Sequence, residues 1–392
     1  MTTKAGTGSS THRHYKAAAT RAVKDAFSAA GTDRADLVIA FASVAYPQEP
    51  LLATLRQLTH NAPLMGGSAC GVIAAGDIIE ENFFLSVMVI QSSEIRFSTA
   101  AATGLQHDPE ATGQALASAL SSTIDDDTKC LVSFADALTL NFTRFEQGLR
   151  QGLGRERPLP LFGGATGDDW KFVKTYQYHN DEVLSDAAVA FTISGEATLA
   201  HAVNHGCVVI GEKLTITRAE GNTIYEVDGE PALTVVNRYL NEDEQRDWGK
   251  VLNSVTLGFK ADDDEDALFI RYMPTKDDAT GTVTIPTEVD AGTQFWITRR
   301  DPQLISAGVT AIGEEVAKQL AGREPKFVLH FDCAGRGKVI FRDQEKQDLL
   351  HSLQQQVGPD APWAGFYTYG EFGPLRETNC FHSYTLILLA VV

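Results

Sequence analysis

The sequence predicts an α/β protein with mixed sheets, built from three repeated βαβ-type units and divided into two domains with a ligand cleft. One order of helix, apolar strand, helix and glycine-containing loop occurs three times in the 392 residues. The first two copies share the motif Pro-Leu-x-Gly-Gly at residues 63–67 and 160–164. The spacing from the apolar strand to the loop glycine is similar in all three copies, as a repeated structural unit requires.

Each copy contains one short apolar strand between two helical segments. The predicted strands are typical of buried parallel strands and span residues 37–42, 130–135 and 327–331. The helical segments have apolar residues at helical spacing and span residues 14–30, 50–60, 108–122, 141–153, 301–320 and 344–357. A final strand closes each copy, at residues 83–90, 187–193 and 384–391.

A β-rich segment at residues 201–297 separates the second copy from the third. We therefore expect a disordered tail over residues 1–12 and an α/β domain with two repeat units over residues 13–220. A second α/β domain, with the β-rich insertion and the third unit, is expected over residues 221–392. The acidic run at residues 262–266 lacks the glycine and terminal glutamate of a calcium-binding loop, so we expect a solvated loop.

The chain is acidic, with 51 Asp and Glu residues against 33 Lys and Arg residues and a formal charge of −18. Repulsion from phosphates and anionic lipids makes nucleic acid and membrane surfaces poor partners. The polar N-terminus has no secretion signal, and the longest apolar stretches are too short to cross a bilayer. Five cysteines without a C-x-x-C pair favour a reducing compartment over a disulfide framework or structural zinc. We expect a cytoplasmic protein without a metal site.

The glycine-containing loops are the predicted location of function, because ligands of open α/β sheets bind at the carboxyl ends of strands. The glycine pairs at 66–67 and 163–164 are expected in turns, where positive φ is needed or where backbone N–H groups approach an anion. The chemistry is expected in the side chains that follow these glycines and in their counterparts in the third copy, namely Ser68, Cys70, Asp168, Asp169, Tyr367 and Glu371.

Two of these pairs have more than one interpretation. Asp168 and Asp169 offer hard oxygen donors to an amino group or a metal, but Asp after Gly also caps turns. Tyr367 and Glu371 alternate with Tyr369, so all three are expected on one face of a strand. That strand face either lines a pocket or packs on a helix.

Cys333 and Arg336 follow directly after the third predicted strand. A guanidinium in such a loop can bind a carboxylate through two parallel hydrogen bonds. The alternative is a hydrolase or transferase that uses Cys333, or the pair Asp168 and Asp169, in catalysis. Because no nucleophile, base and orienting group stand in an arrangement typical of such enzymes, we expect a binding protein and assign no catalytic residue.

Several of these motifs together resemble the FIST family. The N-terminal half resembles FIST N domains through Phe-Gly-Gly-Ala-Thr-Gly-Asp-Asp at residues 162–169 and Ser-Asp-Ala-Ala-Val-Ala at residues 185–190. The C-terminal half resembles FIST C domains through residues 227–233, 331–337 and 365–371. The resemblance extends from about residue 35 to the last residue.

The resemblance implies a free-standing bacterial signal-transduction protein that binds a small ligand and passes the signal to a separate protein. Resemblance to one branch of the family implies a haem-based nitric-oxide sensor that regulates a histidine kinase. Resemblance to the other members implies the alternative, an amino-acid sensor without haem. Haem iron needs an axial His, Cys, Met or Tyr. The first candidate is His179, followed by His205 and Cys207. The alternatives for the oligomeric state are a monomer and a homodimer.

Overall fold

The computed structural model describes residues 2–155, 158–261 and 264–392. The first unit contains β1 (Thr3–Ser10), α1 (Tyr15–Ala30), β2 (Leu37–Ala42), α2 (Gln48–Leu58), β3 (Leu64–Ser68), β4 (Val72–Ala74), β5 (Asp77–Ile79) and β6 (Leu85–Ser92). The second contains β7 (Ile95–Arg96), β8 (Thr99–Thr103), α3 (Pro109–Leu120), β9 (Thr128–Asp136), α4 (Phe142–Leu153), β10 (Leu161–Thr166), β11 (Gln177–His179), β12 (Glu182–Leu184) and β13 (Ala187–Gly195).

The third unit begins with one strand and is then interrupted by an insertion. The strand and the insertion are β14 (Leu199–Asn204), followed by β15 (Cys207–Glu220), β16 (Thr223–Val227), β17 (Glu230–Pro231), α5 (Ala232–Asn237), α6 (Glu242–Arg246), α7 (Trp248–Ser254), β18 (Val255–Ala261), β19 (Asp264–Arg271), β20 (Lys276–Asp277), β21 (Thr282–Thr284) and β22 (Gln294–Arg300). The unit then resumes with α8 (Pro302–Leu320), β23 (Phe327–Cys333), α9 (Asp343–Val357), β24 (Trp363–Thr368), β25 (Glu371–Leu375), β26 (Thr378–His382) and β27 (Leu386–Val391).

Each unit forms a mixed sheet with the same strand order. In the first unit β1 pairs with β6 and β6 with β2, both antiparallel, while β2 runs parallel to β3. The second unit repeats this order as β8-β13-β9-β10 and the third as β14-β27-β23-β24. The helices α2, α4 and α9 are the crossovers that the parallel pairs need. The predicted α/β class, with mixed sheets from three repeated units, is confirmed.

A hairpin from another unit completes the edge of each sheet. The hairpin β4–β5 pairs with β24, the hairpin β11–β12 with β3, and the hairpin β25–β26 with β10. The exchange is cyclic, because the first unit gives its hairpin to the third, the second to the first and the third to the second. Unpaired edge strands expose backbone donors and acceptors, and the exchange covers one such edge in every sheet.

The inner faces of the three sheets share one aromatic core. Phe41, Phe134 and Phe331 are buried at equivalent positions in β2, β9 and β23. The ring of Phe366 stacks on Phe41 at 4.2 Å and meets Phe134 edge-on at 5.6 Å. The helices pack on the outer sheet faces in three separate clusters.

The glycine pairs at residues 66–67 and 163–164 lie inside β3 and β10, not in loops as predicted. A Cβ atom on Gly66 would lie 1.8 Å from the carbonyl oxygen of Ala40 in the neighbouring strand, and the equivalent distance at Gly163 is 2.0 Å. Their φ angles, 153° and 130°, are also rare for L-residues. Glycine is required because the adjacent backbone occupies the space of a side chain.

The predicted disordered tail over residues 1–12 is wrong, because residues 3–10 form β1. This strand pairs with β6 over its full length. Apart from Lys4, its residues are small. Gly6 and Gly8 lie directly against the backbone of α1, where a Cβ would come within 2.3 Å of a backbone atom. Backbone pairing with β6 and close packing against α1 therefore hold residues 3–10 in a strand, although their hydrophobicity does not indicate one.

The insertion forms its own sheet, in the order β19-β18-β22-β15-β16-β21-β20, around a separate core. It begins at β15, so the predicted boundary between residues 220 and 221 falls in the turn between two paired strands of this sheet. Of the predicted acidic loop at 262–266, residues 262–263 lie outside the described residues. The remainder is not loop, since β19 begins at Asp264.

We expect Gly66→Ala to lower the free energy of unfolding by roughly 3 kcal/mol, because the added methyl group collides with a fixed backbone carbonyl. The control is Gly76→Ala in the turn between β4 and β5, where φ is 86° and no atom lies within 4 Å of the added carbon. There we expect a loss of about 1 kcal/mol. Chemical denaturation measures the free energy of unfolding of both variants. Equal losses in Gly66→Ala and Gly76→Ala would contradict a collision with the Ala40 carbonyl as the cause.

Candidate functional site

The segments that follow β3, β10 and β24 hydrogen-bond to one another. The backbone N–H of Gly167 donates to the carbonyl of Ser68 at 3.1 Å, and that of Cys70 donates to the carbonyl of Tyr367 at 3.2 Å. A third bond of 2.7 Å joins Ala165 to Gly370. The carboxyl ends of these strands therefore come together at one end of the shared core, as expected for an α/β ligand site.

A cavity of about 290 Å³, here called the strand-end cavity, opens beside these segments. Its lining residues are Trp170, Phe172, Leu252, Asn253, Tyr272, Cys333, Ala334, Gly335, Val339, Thr368, Tyr369, Ser383 and Tyr384. None of these lining residues, all within the described part of the chain, is a formally charged residue or a histidine. The size corresponds to the lower end of small-molecule sites.

Asp168 anchors the loop that forms one wall of the cavity. Its carboxylate accepts backbone N–H bonds from Phe172, Val173 and Lys174 at 2.9, 2.7 and 3.1 Å, and the hydroxyl of Tyr369 donates to it at 2.8 Å. Burial alone would raise the pKa of Asp168. The four hydrogen bonds together lower the pKa by more than burial raises it, so the pKa lies below its usual value. The carboxylate therefore caps a turn.

The loop wall consists of Trp170 and Phe172, which contact Tyr369. The rings of Phe172 and Tyr369 stack at 4.8 Å with 15° between their planes, and Trp170 lies 5.9 Å from Tyr369. The side chains of Trp170 and Phe172 remain 37% and 57% exposed. Large aromatic side chains exposed at the mouth of a cavity are typical of a binding site.

Cys333, Thr368 and Glu371 form the floor. Glu371 is fully buried, hydrogen-bonds the Thr368 hydroxyl and the Cys333 thiol, and accepts the backbone N–H of Thr385 at 3.1 Å. Burial raises the pKa of Glu371 to about 8 against the opposing effect of the Thr368 hydrogen bond. Burial and the nearby Glu371 also raise the pKa of Cys333 well above its usual value. At neutral pH the floor thus carries a neutral acid and a neutral thiol.

The opposite wall comes from the insertion and from the segment before β27. The ring of Tyr384 lies 5.9 Å from Tyr272, and the Arg300 guanidinium lies 3.8 Å from the Tyr384 ring. The buried Oγ of Ser383 has no hydrogen-bond partner within the described residues. A buried hydroxyl without a partner is costly, so Ser383 is a candidate for a ligand contact.

Residues 36–230 match the FIST N domain, and residues 232–374 match the FIST C domain. The chain belongs to the FIST family. The predicted resemblance is confirmed, and both family regions of this FIST protein line the strand-end cavity. Trp170 and Phe172 come from the FIST N region, whereas Tyr272, Cys333 and Tyr369 come from the FIST C region.

Several uncharacterized proteins are similar to part of this FIST protein. One from Methanocaldococcus jannaschii is 28% identical over 216 residues, which are 53% of this chain and 40% of that protein. One from Mycobacterium tuberculosis is 27% identical over 235 residues, 57% of this chain and 59% of that protein. In both, the match spans less than two thirds of the relative's length.

Two solved structures share a general likeness with the FIST chain at very low identity. A chorismatase has a TM-score of 0.37 at 10% identity and covers 92% of this chain and 94% of its own. A cyanuric acid hydrolase from A. caulinodans has a TM-score of 0.36 at 9% identity and covers 99% of each chain. Within the described residues, no helix is long and apolar enough to span a membrane, and no cluster of three potential metal ligands occurs.

Of the FIST residues predicted to bind ligand, Cys333 lines the cavity and Glu371 lies beneath it. Ser68 is buried and accepts the backbone N–H of Tyr176 at 2.9 Å. Cys70 is buried behind Tyr369, and burial raises its pKa to about 12. These two side chains hold the strand ends in place and do not line the cavity.

Three further predicted residues point elsewhere. Asp169 pairs with Lys338 at 2.9 Å outside the cavity. Arg336 is buried against Asp332 at 2.7 Å, and together with Tyr367 it lines a separate space of about 30 Å³. The predicted alternation of Tyr367 with Glu371 fails because a turn at residues 369–370 separates β24 from β25.

The predicted haem ligands do not converge on the cavity. His179 lies in β11 and hydrogen-bonds Thr99 at 3.3 Å. His205 accepts the backbone N–H of Cys207 at 2.9 Å through Nδ1, and burial lowers its pKa to about 4. Cys207 packs behind Cys333 without lining the cavity. No histidine or methionine lines the cavity within the described residues. Burial raises the pKa of Cys333 and of the lining tyrosines Tyr272, Tyr369 and Tyr384, which disfavours all of them as axial haem ligands.

Sequence reasoning missed most of the aromatic wall. Trp170, Phe172 and Tyr369 stand in or beside the motifs that follow the repeated glycines, and the density of aromatic side chains there was the available signal. Tyr272 and Tyr384 are separated by more than a hundred residues of sequence and meet only in the folded chain. No local pattern indicates such a contact.

We expect the pH dependence of stability to change in Glu371→Gln. A carboxyl whose pKa rises from 4.5 to about 8 on folding makes the protein lose stability as the pH increases through this window. Glutamine resembles the protonated acid, so the variant should equal the parent near pH 4 and exceed its free energy of unfolding by on the order of 5 kcal/mol near pH 9. Urea denaturation across this range measures the difference, and parallel curves would refute the assignment.

Proposed function

We propose that this FIST protein is a sensor whose ligand is a small, flat aromatic molecule without formal charge. FIST domains are in general ligand-binding sensor domains of signal transduction. The lining of the strand-end cavity carries the proposal, since five aromatic side chains and no charged group surround it within the described residues. A zwitterionic amino acid or a haem propionate would leave its charge unpaired in such a lining, whereas an uncharged ring would not.

Ser383 and the neutral floor define the polar part of this ligand. The Ser383 hydroxyl has no partner among the described residues, and Thr368 beside it is held by Glu371. A ligand with one hydroxyl or carbonyl group would give the serine its missing hydrogen bond. The proposed ligand is therefore an aromatic ring system with one neutral polar substituent.

The loop at residues 167–176 is the proposed reporting element. It joins the FIST N region to the cavity, and Trp170, Phe172 and Val173 remain partly or largely exposed on it. A ligand that binds better when Trp170 and Phe172 cover the cavity shifts the population toward that arrangement. We propose that a separate protein, such as the histidine kinase that the family resemblance implies, recognises the changed loop.

Haem-based nitric-oxide sensing, amino-acid sensing and catalysis by Cys333 are the competing outcomes. The raised pKa of Cys333 argues against a thiolate nucleophile, and supports binding over catalysis. A Soret band after reconstitution with haemin that disappears in His179→Ala or His205→Ala would replace the proposal with a haem sensor. Turnover of an ester that Cys333→Ala abolishes would replace it with an enzyme.

We expect 2-naphthol to raise the melting temperature more than the cation 2-naphthylmethylammonium, because the lining offers no counter-charge. Phe172→Ser should weaken 2-naphthol binding about tenfold, through loss of one aromatic contact. The matched control is Val173→Ser, which changes a residue 79% exposed and outside the lining. Calorimetric titration measures these affinities, and equal losses in the two variants would exclude the loop wall from the site.

A second expectation concerns Ser383→Ala. The affinity for 2-naphthol should fall roughly threefold to tenfold, the value of one hydrogen bond, while that for naphthalene should be unchanged. Both affinities are measured by quenching of tryptophan fluorescence. If naphthalene loses as much affinity as 2-naphthol, Ser383 contributes shape and not a hydrogen bond.

A further inference from the structure

A second pocket contains a buried guanidinium without a carboxylate partner. Arg271, at the end of β19, is 5% exposed. Its Nε donates to the Thr287 hydroxyl at 3.0 Å, and its Nη1 donates to the carbonyls of Ile270 and Phe381. The Nη2 nitrogen has no hydrogen-bond partner among the described residues. Two N–H groups of this cation thus remain available to a ligand.

The charge of Arg271 is not balanced within the described chain. No carboxylate of the described residues lies within ion-pair distance of it, whereas buried charges in proteins are as a rule paired. Burial lowers the pKa of Arg271 to about 9, although Cys380 and Glu371 act in the opposite direction. Glu371 is itself a largely neutral acid at pH 7, so it does not supply the counter-charge.

Arg271 lines a pocket of about 190 Å³ that shares no lining residue with the strand-end cavity. The rings of Phe259 and Phe269 also line it, 5.7 Å apart and 15° from parallel. The guanidinium lies 4.5 Å from the Phe269 ring, so the cation stands directly beside an apolar surface. This arrangement suits an anionic group attached to a flat apolar body.

The rim of the pocket limits the charge of the ligand. Glu288 lines the pocket but pairs with Arg144 at 2.9 Å, so its charge is compensated. Asp290 also lines the pocket and is exposed. One negative rim charge opposes a divalent anion more strongly than a monovalent one. A monocarboxylate is therefore favoured over a phosphate ester.

We propose that this second pocket binds a small monocarboxylate with a flat apolar body. The carboxylate meets Nη2 of Arg271, and the apolar body lies against Phe259 and Phe269. The site is independent of the strand-end cavity in its residues and in the charge of its ligand. It assigns a role to a cation that the folded chain leaves without a counter-ion.

The test compares phenylacetate with phenylacetamide, which has a similar shape without the charge. Both titrations contain 2-naphthol at a concentration that saturates the strand-end cavity, so that the amide does not bind there. We expect phenylacetate to bind the full chain at least tenfold more tightly than the amide in calorimetric titration. Arg271→Gln should abolish this preference. Since loss of a buried cation can disturb folding, Thr293→Trp provides a second variant that fills the pocket and leaves Arg271 in place. It should remove phenylacetate binding with an unchanged circular dichroism spectrum.

Phe172→Ser is the matched control, because it alters the strand-end cavity alone and should leave phenylacetate affinity unchanged. If the strand-end cavity does not bind 2-naphthol, the measurement of phenylacetate binding at the Arg271 pocket is therefore unaffected. Equal affinities for acid and amide, or unchanged phenylacetate binding in Thr293→Trp, would overturn the proposal. Inorganic phosphate that binds as tightly as phenylacetate would overturn the assignment to a monocarboxylate.

Discussion

The packing of three sheet faces around one aromatic centre is the constraint from which the rest of the architecture follows. Phe41, Phe134 and Phe331 fill equivalent positions, and only the third unit adds another ring, Phe366, where the other two have glycine. Protein interiors pack at nearly crystalline density, so these rings fix the spacing of the sheets. The strand ends are held in a rigid ring, and the loops that leave them are free to differ. Chemical diversity is therefore confined to one end of the core.

Much of this fold was predictable, because each unit repeats an apolar strand between helices of matching spacing. The strand β1 was not, since Gly6 and Gly8 carry no hydrophobic signal and their role depends on contact with α1. The short hairpins were also hidden, because their pairing partners lie in a different unit. Hydrophobic periodicity records which face of a segment is buried, but it does not record which sheet the segment joins.

The site was less predictable than the fold. Cys333 and Glu371 were found because they follow strands at the expected edge of the sheet. Asp168 was placed correctly in the chain, but its hydrogen bonds make it a turn anchor, the simpler of the two interpretations. Arg336 already forms a buried ion pair with Asp332. Because this carboxylate balances its charge, Arg336 attracts a carboxylate ligand only weakly. Which ions a folded chain has already paired is a property of three-dimensional contacts and has no local sequence pattern.

The cyclic exchange of hairpins makes the FIST N and FIST C regions inseparable as structures. A cut between residues 230 and 232 would take the hairpin β25–β26 away from β10 and the partner β24 away from β4. Each fragment would then present open edges to other molecules. The family boundary is thus a boundary in sequence and not in the folded chain. Gene fusion or transplantation of this fold must therefore move all three units together, and deletion of one half disrupts the sheets of the other half.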